Sequence, residues 1–377
     1  MSESESELVL EAFQLDYLKF QKVVYQVLGL LQGNTHPEKK SSILKKCLTI
    51  GIMAIFIISL FLNVNYEFEG ELRMAISTYS LNIVGCFQVF CKLIVLNLFS
   101  EEIKQLIGWI GAFHVDPVWK DYTSFVKERF QITLRFLKAV EKFVVFGGTA
   151  MGQLILLTYF WNGTILFRIP YLQGSIKYFW QHIAMTYIVL FYILIEFIHL
   201  FFGFYFVAIL NIFIDSLEKL DNENFIKSSR NHLKDYHKIH LEIWQKLKDF
   251  VRVFSFVQNI QAAACLPLIV NSFYNSTIYP NIFLNHLILI PVITQLFEIC
   301  LLGEFFDSKT TEIFRKLYLS KWYEMSRDDK MILVLMMRMT IKPFSLKVAG
   351  IYNINMMAFV DVIKFCFSFC AILLAFT

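Results

Sequence analysis

The stretch that decides the fold is residues 179–214, FWQHIAMTYIVLFYILIEFIHLFFGFYFVAILNIFI. A transmembrane helix needs about 20 consecutive, mostly apolar residues to cross roughly 30 Å of hydrocarbon. This run is longer than that, and Glu196 is its only Asp, Glu, Lys or Arg. The pattern therefore predicts a membrane-spanning helix that continues as helix beyond the bilayer.

Further apolar runs lie on both sides of this stretch. Hydrophobic residues make up 56% of the chain and charged residues 18%, against roughly 45–50% and 25% in soluble domains. We expect the fifth span to be the weakest, because Pro267 interrupts it. The sequence predicts an all-α membrane protein with seven transmembrane helices, at 47–65, 75–99, 143–161, 179–214, 254–272, 282–303 and 346–376.

The distribution of basic residues predicts the orientation. The N-terminal tail and the even-numbered loops together carry 29 Lys and Arg residues, whereas the odd-numbered loops carry 3. Cytoplasmic loops collect positive charge, so the N-terminus is expected in the cytoplasm and the C-terminus outside the cell. This orientation disfavours a G-protein-coupled receptor, which has its N-terminus outside.

Two glycosylation sequons agree with that topology. They begin at Asn162 and Asn275, and both fall in loops that the charge count places outside. A sequon is a weak signal alone, but both match an independent rule. The acidic start at 2–7 predicts no cleavable signal peptide, since such a peptide begins with a basic segment.

The expected organisation is a cytoplasmic segment at 1–45 followed by one seven-helix region at 46–376. Within that region, 304–345 are predicted to form cytoplasmic helices. Ser326 and Asp329 make an S-x-x-D capping pattern, after which Ile332, Leu335, Met336 and Met339 would form one apolar stripe. This helix could lie on the membrane or pack with its neighbours into an assembly core.

Several ionisable residues lie at membrane depth, where they are costly and need partners. Asp361 and Lys364 could pair with each other or line an aqueous path, and Lys92 is expected to extend towards the interface. Glu196 and His199 are expected to make hydrogen bonds between helices. The sequence shows no catalytic motif and no Cys/His metal spacing, so neither an enzyme, a metal nor a cofactor is predicted.

A series of motifs in the C-terminal third is more specific. Its elements, in order, are Cys300-x-x-Gly303-Glu304, Tyr318-x-Ser320-x-Trp322-Tyr323, Arg338-x-x-x-Lys342-Pro343, Ala349-Gly350, and Phe359 with Phe367. In this order and spacing, the chain resembles the insect odorant receptor family, with the motifs confined to about 298–376. It lacks the long insertion of the family's co-receptor between the fourth and fifth spans, so it resembles an odorant-tuned subunit.

The resemblance implies a function and partners. Members form tetrameric, odorant-gated, non-selective cation channels in the plasma membrane of sensory neurons, in which a tuning subunit shares one pore with a co-receptor. It implies contacts with lipid and a small volatile ligand, and neither nucleic acid nor an obligatory G protein. It also implies that the last span, 346–376, lines the pore, with pore and gate residues Ile372, Phe376, Leu373, Ala375, Asp361 and Lys364.

The resemblance implies two further groups of residues. The cytoplasmic helices would hold the tetramer together through Tyr318, Trp322, Tyr323, Leu335, Met336, Arg338 and Met339. The odorant pocket would lie in the outer halves of the second, third, fourth and sixth spans, formed by Tyr79, Ile83, Phe87, Gly152, Leu156, Tyr159, Met185, Ile188, Phe283, Leu287 and Ile290.

Two other functions stay open at this point. A gustatory-type ligand-gated channel has the same topology, but the stretch 367–376 lacks the usual Thr-Tyr…Gln-Phe signature of that family. A secondary transporter often shows inverted repeats, and this chain shows no internal repeat.

Overall fold

The structure, a computed structural model, describes residues 21–27, 29, 43–64, 72–113, 123–161, 163, 165–167, 169, 174–217, 223–279 and 283–375. Helical residues 21–27 come before the first long helix. The α-helices are α1 Ile43–Val64, α2 Leu72–Leu98, α3 Ser100–Phe113, α4 Thr123–Lys142, α5 Gly148–Trp161, α6 Ile176–Leu217, α7 Glu223–Ile278, α8 Phe283–Leu319, α9 Arg327–Thr340 and α10 Met356–Ala375. A π-helical turn, Phe143–Gly147, joins α4 to α5, and two short strands, β1 Lys347–Val348 and β2 Tyr352–Asn353, precede α10.

The helices meet the length and composition that a membrane requires. In lipid, a backbone must satisfy its own hydrogen bonds, which favours helices. Among the described residues, six helical stretches are long and apolar enough to span, and α1 adds a shorter apolar stretch, Leu48–Asn63. The predicted all-α, seven-span fold is confirmed, while the orientation of the termini stays a prediction.

Helix α6 forms the centre of the bundle. Of its most apolar 18-residue window, 89% is buried, and it packs against α2, α4, α5, α7 and α8. Its 42 residues correspond to about 63 Å of helix, twice the hydrocarbon thickness. The predicted continuation of this helix beyond the bilayer is therefore confirmed by its length.

The last helix, α10, is mostly unburied, in contrast to α6. Of the most apolar 18-residue window of α10, only 17% is buried, although the mean hydropathy of that window is 2.1. The helix packs on α7 and α8, its buried residues are Ala358, Cys366 and Cys370, and the rings of Phe359 and Phe367 also contact these helices. Most of its apolar surface therefore has no partner among the residues that the structure describes.

Two expectations about helix boundaries were wrong. Helix α7 runs unbroken through Pro267, since packing neighbours can compensate for one lost backbone hydrogen bond in a membrane helix. The last helix begins at Met356, ten residues after the expected start. Ala349 and Gly350 have φ of 51° and 73°, a left-handed turn that ends helical geometry and lets β1 pair with β2 in antiparallel fashion.

Helix α9 begins where the capping pattern predicts. The Ser326 side chain accepts a hydrogen bond from the Asp329 backbone N–H at 3.3 Å. The buried face, however, is Asp329, Leu333, Met336 and Thr340, which packs on α7 and α8. The expected stripe was wrong in part, because Leu335 is 48% exposed.

Candidate functional site

The predicted odorant-pocket residues lie mostly inside the bundle. Seven are buried on α2, α5, α6 and α8, and Ile83 is partly buried. Helix α6 packs on the other three of these helices, and α5 also packs on α8. The buried members are Tyr79, Gly152, Leu156, Tyr159, Met185, Ile188 and Leu287.

Close contacts join three of these helices. A Cβ added to Gly152 on α5 would lie 2.4 Å from Val189 Cγ1 on α6, so the absence of a side chain permits the approach of the two helices. The Asn82 amide on α2 donates to the Tyr159 hydroxyl on α5 at 3.0 Å. These contacts fix α2, α5 and α6 around an apolar interior.

Two members of the predicted pocket do not join this group. Phe87 is 58% exposed and Ile290 is 53% exposed, so both face outward from their helices, and placing them in the pocket was wrong. The helical period turns a side chain by about 100° per residue, which carries some residues of a span to its outer face. The Phe283 side chain lies outside the described residues.

A short loop segment closes one end of this interior. Leu166 and Phe167 are fully buried, and the Tyr79 hydroxyl donates to the Ile165 carbonyl at 2.8 Å. The Asn63 amide donates to the Tyr79 hydroxyl and to the carbonyls of Ile165, at 2.5 Å, and Leu166, at 3.2 Å.

Sequence reasoning missed this loop, although polar residues inside the apolar runs were a usable signal. Asn63 and Asn82 stand in such runs, and so does Gln181, whose Oε1 accepts from the Leu166 N–H at 2.7 Å. Polar groups at membrane depth need partners, and their partners here are a loop backbone and a buried tyrosine.

A second polar group lies deeper in the bundle and joins α2, α6, α7 and α8. Lys92 is 1% exposed, and its Nζ donates to Glu196 Oε1 at 2.5 Å and to Gln261 Oε1 at 2.8 Å. The Gln295 amide also donates to Glu196 Oε1, at 2.7 Å. The expectation that Lys92 extends to the interface was therefore wrong, because a buried carboxylate holds it in the core.

His199 continues this polar group. Its Nδ1 lies 3.3 Å from Glu298 Oε1 and its Nε2 lies 3.1 Å from Gln258 Nε2. Glu196, His199 and Glu298 offer ligand atoms within 4.8 Å of one another. A cation placed there would face the Lys92 ammonium, so the group is better explained as the expected hydrogen bonding between helices than as a metal centre.

The predicted pore and gate residues lie on α10. Asp361, Lys364, Ile372 and Ala375 are exposed and Leu373 is half-buried, whereas Phe376 lies outside the described residues. Within the described part of this helix, no ion pair joins Asp361 to Lys364. Exposed charges on a membrane helix need water or a partner, which favours the aqueous path over mutual neutralisation.

The base of α10 is fixed by the Gly303-Glu304 motif on α8. A Cβ on Gly303 would lie 1.9 Å from the Ile354 carbonyl oxygen, so only glycine admits this backbone. Glu304 Oε2 accepts from the Met356 N–H, the first of α10, at 3.3 Å, which suits the positive end of a helix. One motif therefore joins a helix of the apolar interior to the start of α10.

Most of the predicted assembly residues are exposed on α8, on α9 and in the turn between them. Tyr318, Trp322, Tyr323, Leu335 and Arg338 are exposed, and Met339 is half-buried. Met336 is fully buried, so it packs within this chain and its assignment to an assembly surface was wrong.

The two sequons have different outcomes. Asn162 lies outside the described residues. Asn275 is 2% exposed, and its Oδ1 accepts from the Ser77 hydroxyl at 2.7 Å. A glycan cannot be attached to this buried amide in the folded chain, so this site was predicted wrongly.

Comparisons with known proteins agree with this architecture. Residues 83–367 match the family described as 7tm Odorant receptor. The olfactory receptor OR5 from Machilis hrabei, solved in complex with eugenol, has 14% sequence identity and a TM-score of 0.76, over 96% of this chain and 100% of that one. A second structure of OR5 from the same organism has a TM-score of 0.74, with the same identity and coverage. No curated protein sequence matches the chain.

Proposed function

The chain belongs to the 7tm odorant receptor family, and from that premise we propose that it is an odorant-gated, non-selective cation channel subunit. It binds small volatile molecules within its transmembrane bundle and opens a pore that it shares with a co-receptor, in the plasma membrane of a sensory neuron. Neither an enzyme activity nor a G protein is part of the proposal.

The observation that supports the channel proposal is the exposure of α10 and of its two charged residues. This helix is long enough to span, is largely unburied, and carries Asp361 and Lys364 exposed and unpaired with each other. A lipid-facing helix would not expose two charges, whereas a helix around an aqueous pore can. At its far end Ile372 is 54% exposed, and a ring of such side chains blocks ions by dewetting.

The odorant site follows from the interior between α2, α5, α6 and α8. Its walls suit a volatile ligand, because each buried CH₂ contributes about 0.8 kcal/mol and micromolar binding needs about 8 kcal/mol. The Gly303-Glu304 motif supports coupling, since α8 both lines this interior and holds the first residue of α10. Binding must favour the open state, because equal affinity for both states shifts nothing.

The cytoplasmic surface supports assembly into a tetramer with the co-receptor. Tyr318 is 62% exposed, Tyr323 61% and Leu335 48%, on helices that lie beyond the apolar spans. Exposed aromatic side chains of this kind are typical of protein interfaces.

The alternatives are a gustatory-type channel, which would respond to soluble tastants, and a secondary transporter. A transporter binds its substrate at mid-membrane through broken helices. Here α7 and α8 pass through Pro267 and Pro291 without a break, which favours a channel.

The test is a recording from outside-out patches without GTP, from cells that express this chain with and without the odorant co-receptor. The panel of volatiles includes eugenol, which OR5 binds in its solved complex. A fast cation current that needs odorant and both chains supports the proposal. No current from any volatile, with the protein confirmed at the surface, would favour the gustatory or transporter function.

A pair of glycine variants tests the location of the odorant site. Gly152→Ala forces a Cβ against Val189, whereas Gly85→Ala on α2 has no atom within 4 Å of the added Cβ. Overpacking costs about 1–3 kcal/mol, so we expect Gly152→Ala to raise the half-maximal odorant concentration roughly tenfold and Gly85→Ala to leave it unchanged. Equal responses of the two variants would place the odorant elsewhere.

A further inference from the structure

A cavity of ≈ 580 Å³ lies between α2, α7 and α10, apart from the interior described above. Its volume is within the range of small-molecule sites, about 300–1,000 Å³. Two of its walls are formed by α2, with Ile76, Ser77 and Ser80, and by α10, with Phe365, Phe369 and Leu373.

The cavity and the predicted odorant interior use different faces of α2. Ser77 and Ser80 line the cavity, whereas the Tyr79 hydroxyl between them in sequence binds the buried loop carbonyl of Ile165. The third wall is α7, which does not contribute to the predicted odorant group. The cavity is therefore a separate site with one shared helix.

The cavity wall carries a compact polar patch. The Asn271 amide donates to Ser80 Oγ at 2.6 Å and to the Ser77 carbonyl at 3.1 Å, and Ser80 Oγ donates to the same carbonyl at 2.8 Å. A hydroxyl oxygen can accept two hydrogen bonds, so Ser80 Oγ retains one acceptor position. Tyr274 also lines the cavity, and its hydroxyl makes no hydrogen bond with any residue that the structure describes.

The remaining lining is apolar, with Leu266, Pro267 and Val270 opposite the phenylalanines of α10. A lipid acyl chain or an apolar helix would fit these walls but would leave the Tyr274 hydroxyl without a partner. A molecule with one hydroxyl group on an apolar body would satisfy both the walls and the polar patch, because its O–H can donate to Ser80 Oγ while its oxygen accepts from the Tyr274 hydroxyl.

We propose that this cavity binds a small amphipathic molecule, of the class of medium-chain alcohols, which enters from the membrane and contacts α10 directly. Its oxygen would lie at Ser80 and Tyr274, and its apolar body against Phe365, Phe369 and Leu373. The site is distinct from the odorant site.

A ligand in the cavity would add contacts to α10, which has few buried residues. Helix α10 is buried only at Ala358, Cys366 and Cys370 among its described residues, so ligand contacts at Phe369 and Leu373 add substantially to its packing. A ligand shifts a conformational equilibrium by its difference in affinity for the two states. This consequence, though not the binding itself, rests on the proposed channel function.

The test is photolabelling of the full chain in lipid nanodiscs with a medium-chain alcohol that carries a diazirine, followed by peptide mapping. We expect saturable labelling of the peptides that contain Tyr274 and 365–373, displaced by the unlabelled alcohol. Leu266→Trp fills the cavity from α7. Displacing two methylene groups would weaken binding roughly tenfold, so labelling at a subsaturating probe concentration should fall by a similar factor.

Leu157→Trp is the matched control, because Leu157 is 63% exposed on α5 and does not line the cavity. Labelling spread over all outward-facing helices, or equal labelling of the two tryptophan variants, overturns the proposal. A photoreactive phosphatidylcholine that labels the same peptides and resists displacement by the alcohol also overturns it, since the cavity would then be a lipid contact.

The readout separates this site from the channel proposal, because labelling needs no current. Saturable labelling without any odorant-evoked current would support the site and contradict the channel. Odorant-evoked currents without labelling would do the reverse.

Discussion

The Lys92→Met substitution removes a buried cation while keeping a side chain of similar length. Lys92 is 1% exposed and lies 2.5 Å from Glu196 Oε1. After the substitution the Glu196 carboxylate has lost its buried cation, with the Gln295 amide at 2.7 Å as its remaining donor, and Gln261 Oε1 loses its partner. Removal of one member of a buried ion pair costs about 3–5 kcal/mol, a large part of a typical stability of about 5–15 kcal/mol.

Two further variants separate the charge effect from the loss of packing. Lys92→Met combined with Glu196→Gln removes both charges, and we expect it to recover most of the lost stability, because no uncompensated buried charge remains. Lys104→Met is the matched control, since Lys104 pairs with Glu101 at 3.0 Å while 37% and 73% of the two side chains are exposed. Such a pair is worth about 0–1 kcal/mol.

The assay is heating of the detergent-solubilised, fluorescently tagged chain, followed by size-exclusion chromatography of the remaining folded protein. A loss of 1 kcal/mol lowers the midpoint by about 2–4 °C in a chain of 150–250 residues, so Lys92→Met should lower it by roughly 5–15 °C here. A midpoint equal to that of Lys104→Met, or a double variant no more stable than the single one, would refute the buried ion pair as a determinant of stability.

Three other substitutions test the connections between the sites. Gly303→Ala places a Cβ 1.9 Å from the Ile354 carbonyl oxygen, so we expect loss of the odorant-evoked current at matched surface expression. A normal current would contradict the coupling of α8 to α10. Tyr79→Phe removes the hydrogen bond to the loop at 165–167, worth about 1 kcal/mol, so the half-maximal odorant concentration should rise roughly fivefold with faster current decay. Ile372→Ser makes the proposed gate position on α10 polar, so we expect basal current without odorant. An unchanged basal current would count against Ile372 as part of the gate.

Hydropathy and capping chemistry predicted the fold well, because both depend on local sequence. A bilayer imposes span length directly, so the apolar runs could be recognised without knowledge of their neighbours. The start of α9 was predicted to the residue, since the Ser326 cap involves a backbone group three positions away.

Features that depend on distant partners could not be predicted in the same way. Lys92 has a neutralising partner 104 positions away in Glu196, and nothing near Lys92 in the sequence indicates it. The α9 stripe was assigned by hydrophobicity alone, but packing on α7 and α8 buries Asp329 and Thr340 and exposes Leu335. The start of α10 depends on the approach of Ile354 to Gly303, which is a tertiary contact.

Helix α2 connects the predicted odorant interior, the cavity beside α10 and the buried polar group around Lys92. Its Tyr79 holds the loop at 165–167, and its Ser80 lines the cavity against α10. Its Lys92 is fixed to α6 by the ion pair with Glu196 and to α7 by the hydrogen bond to Gln261. A helix anchored by a buried charge can rotate or shift only if that network moves with it. In the proposed channel, an odorant that displaces Tyr79 would act on a helix that faces Phe365 and Phe369 across the cavity, which would give α2 a route to α10 in addition to the Gly303-Glu304 connection.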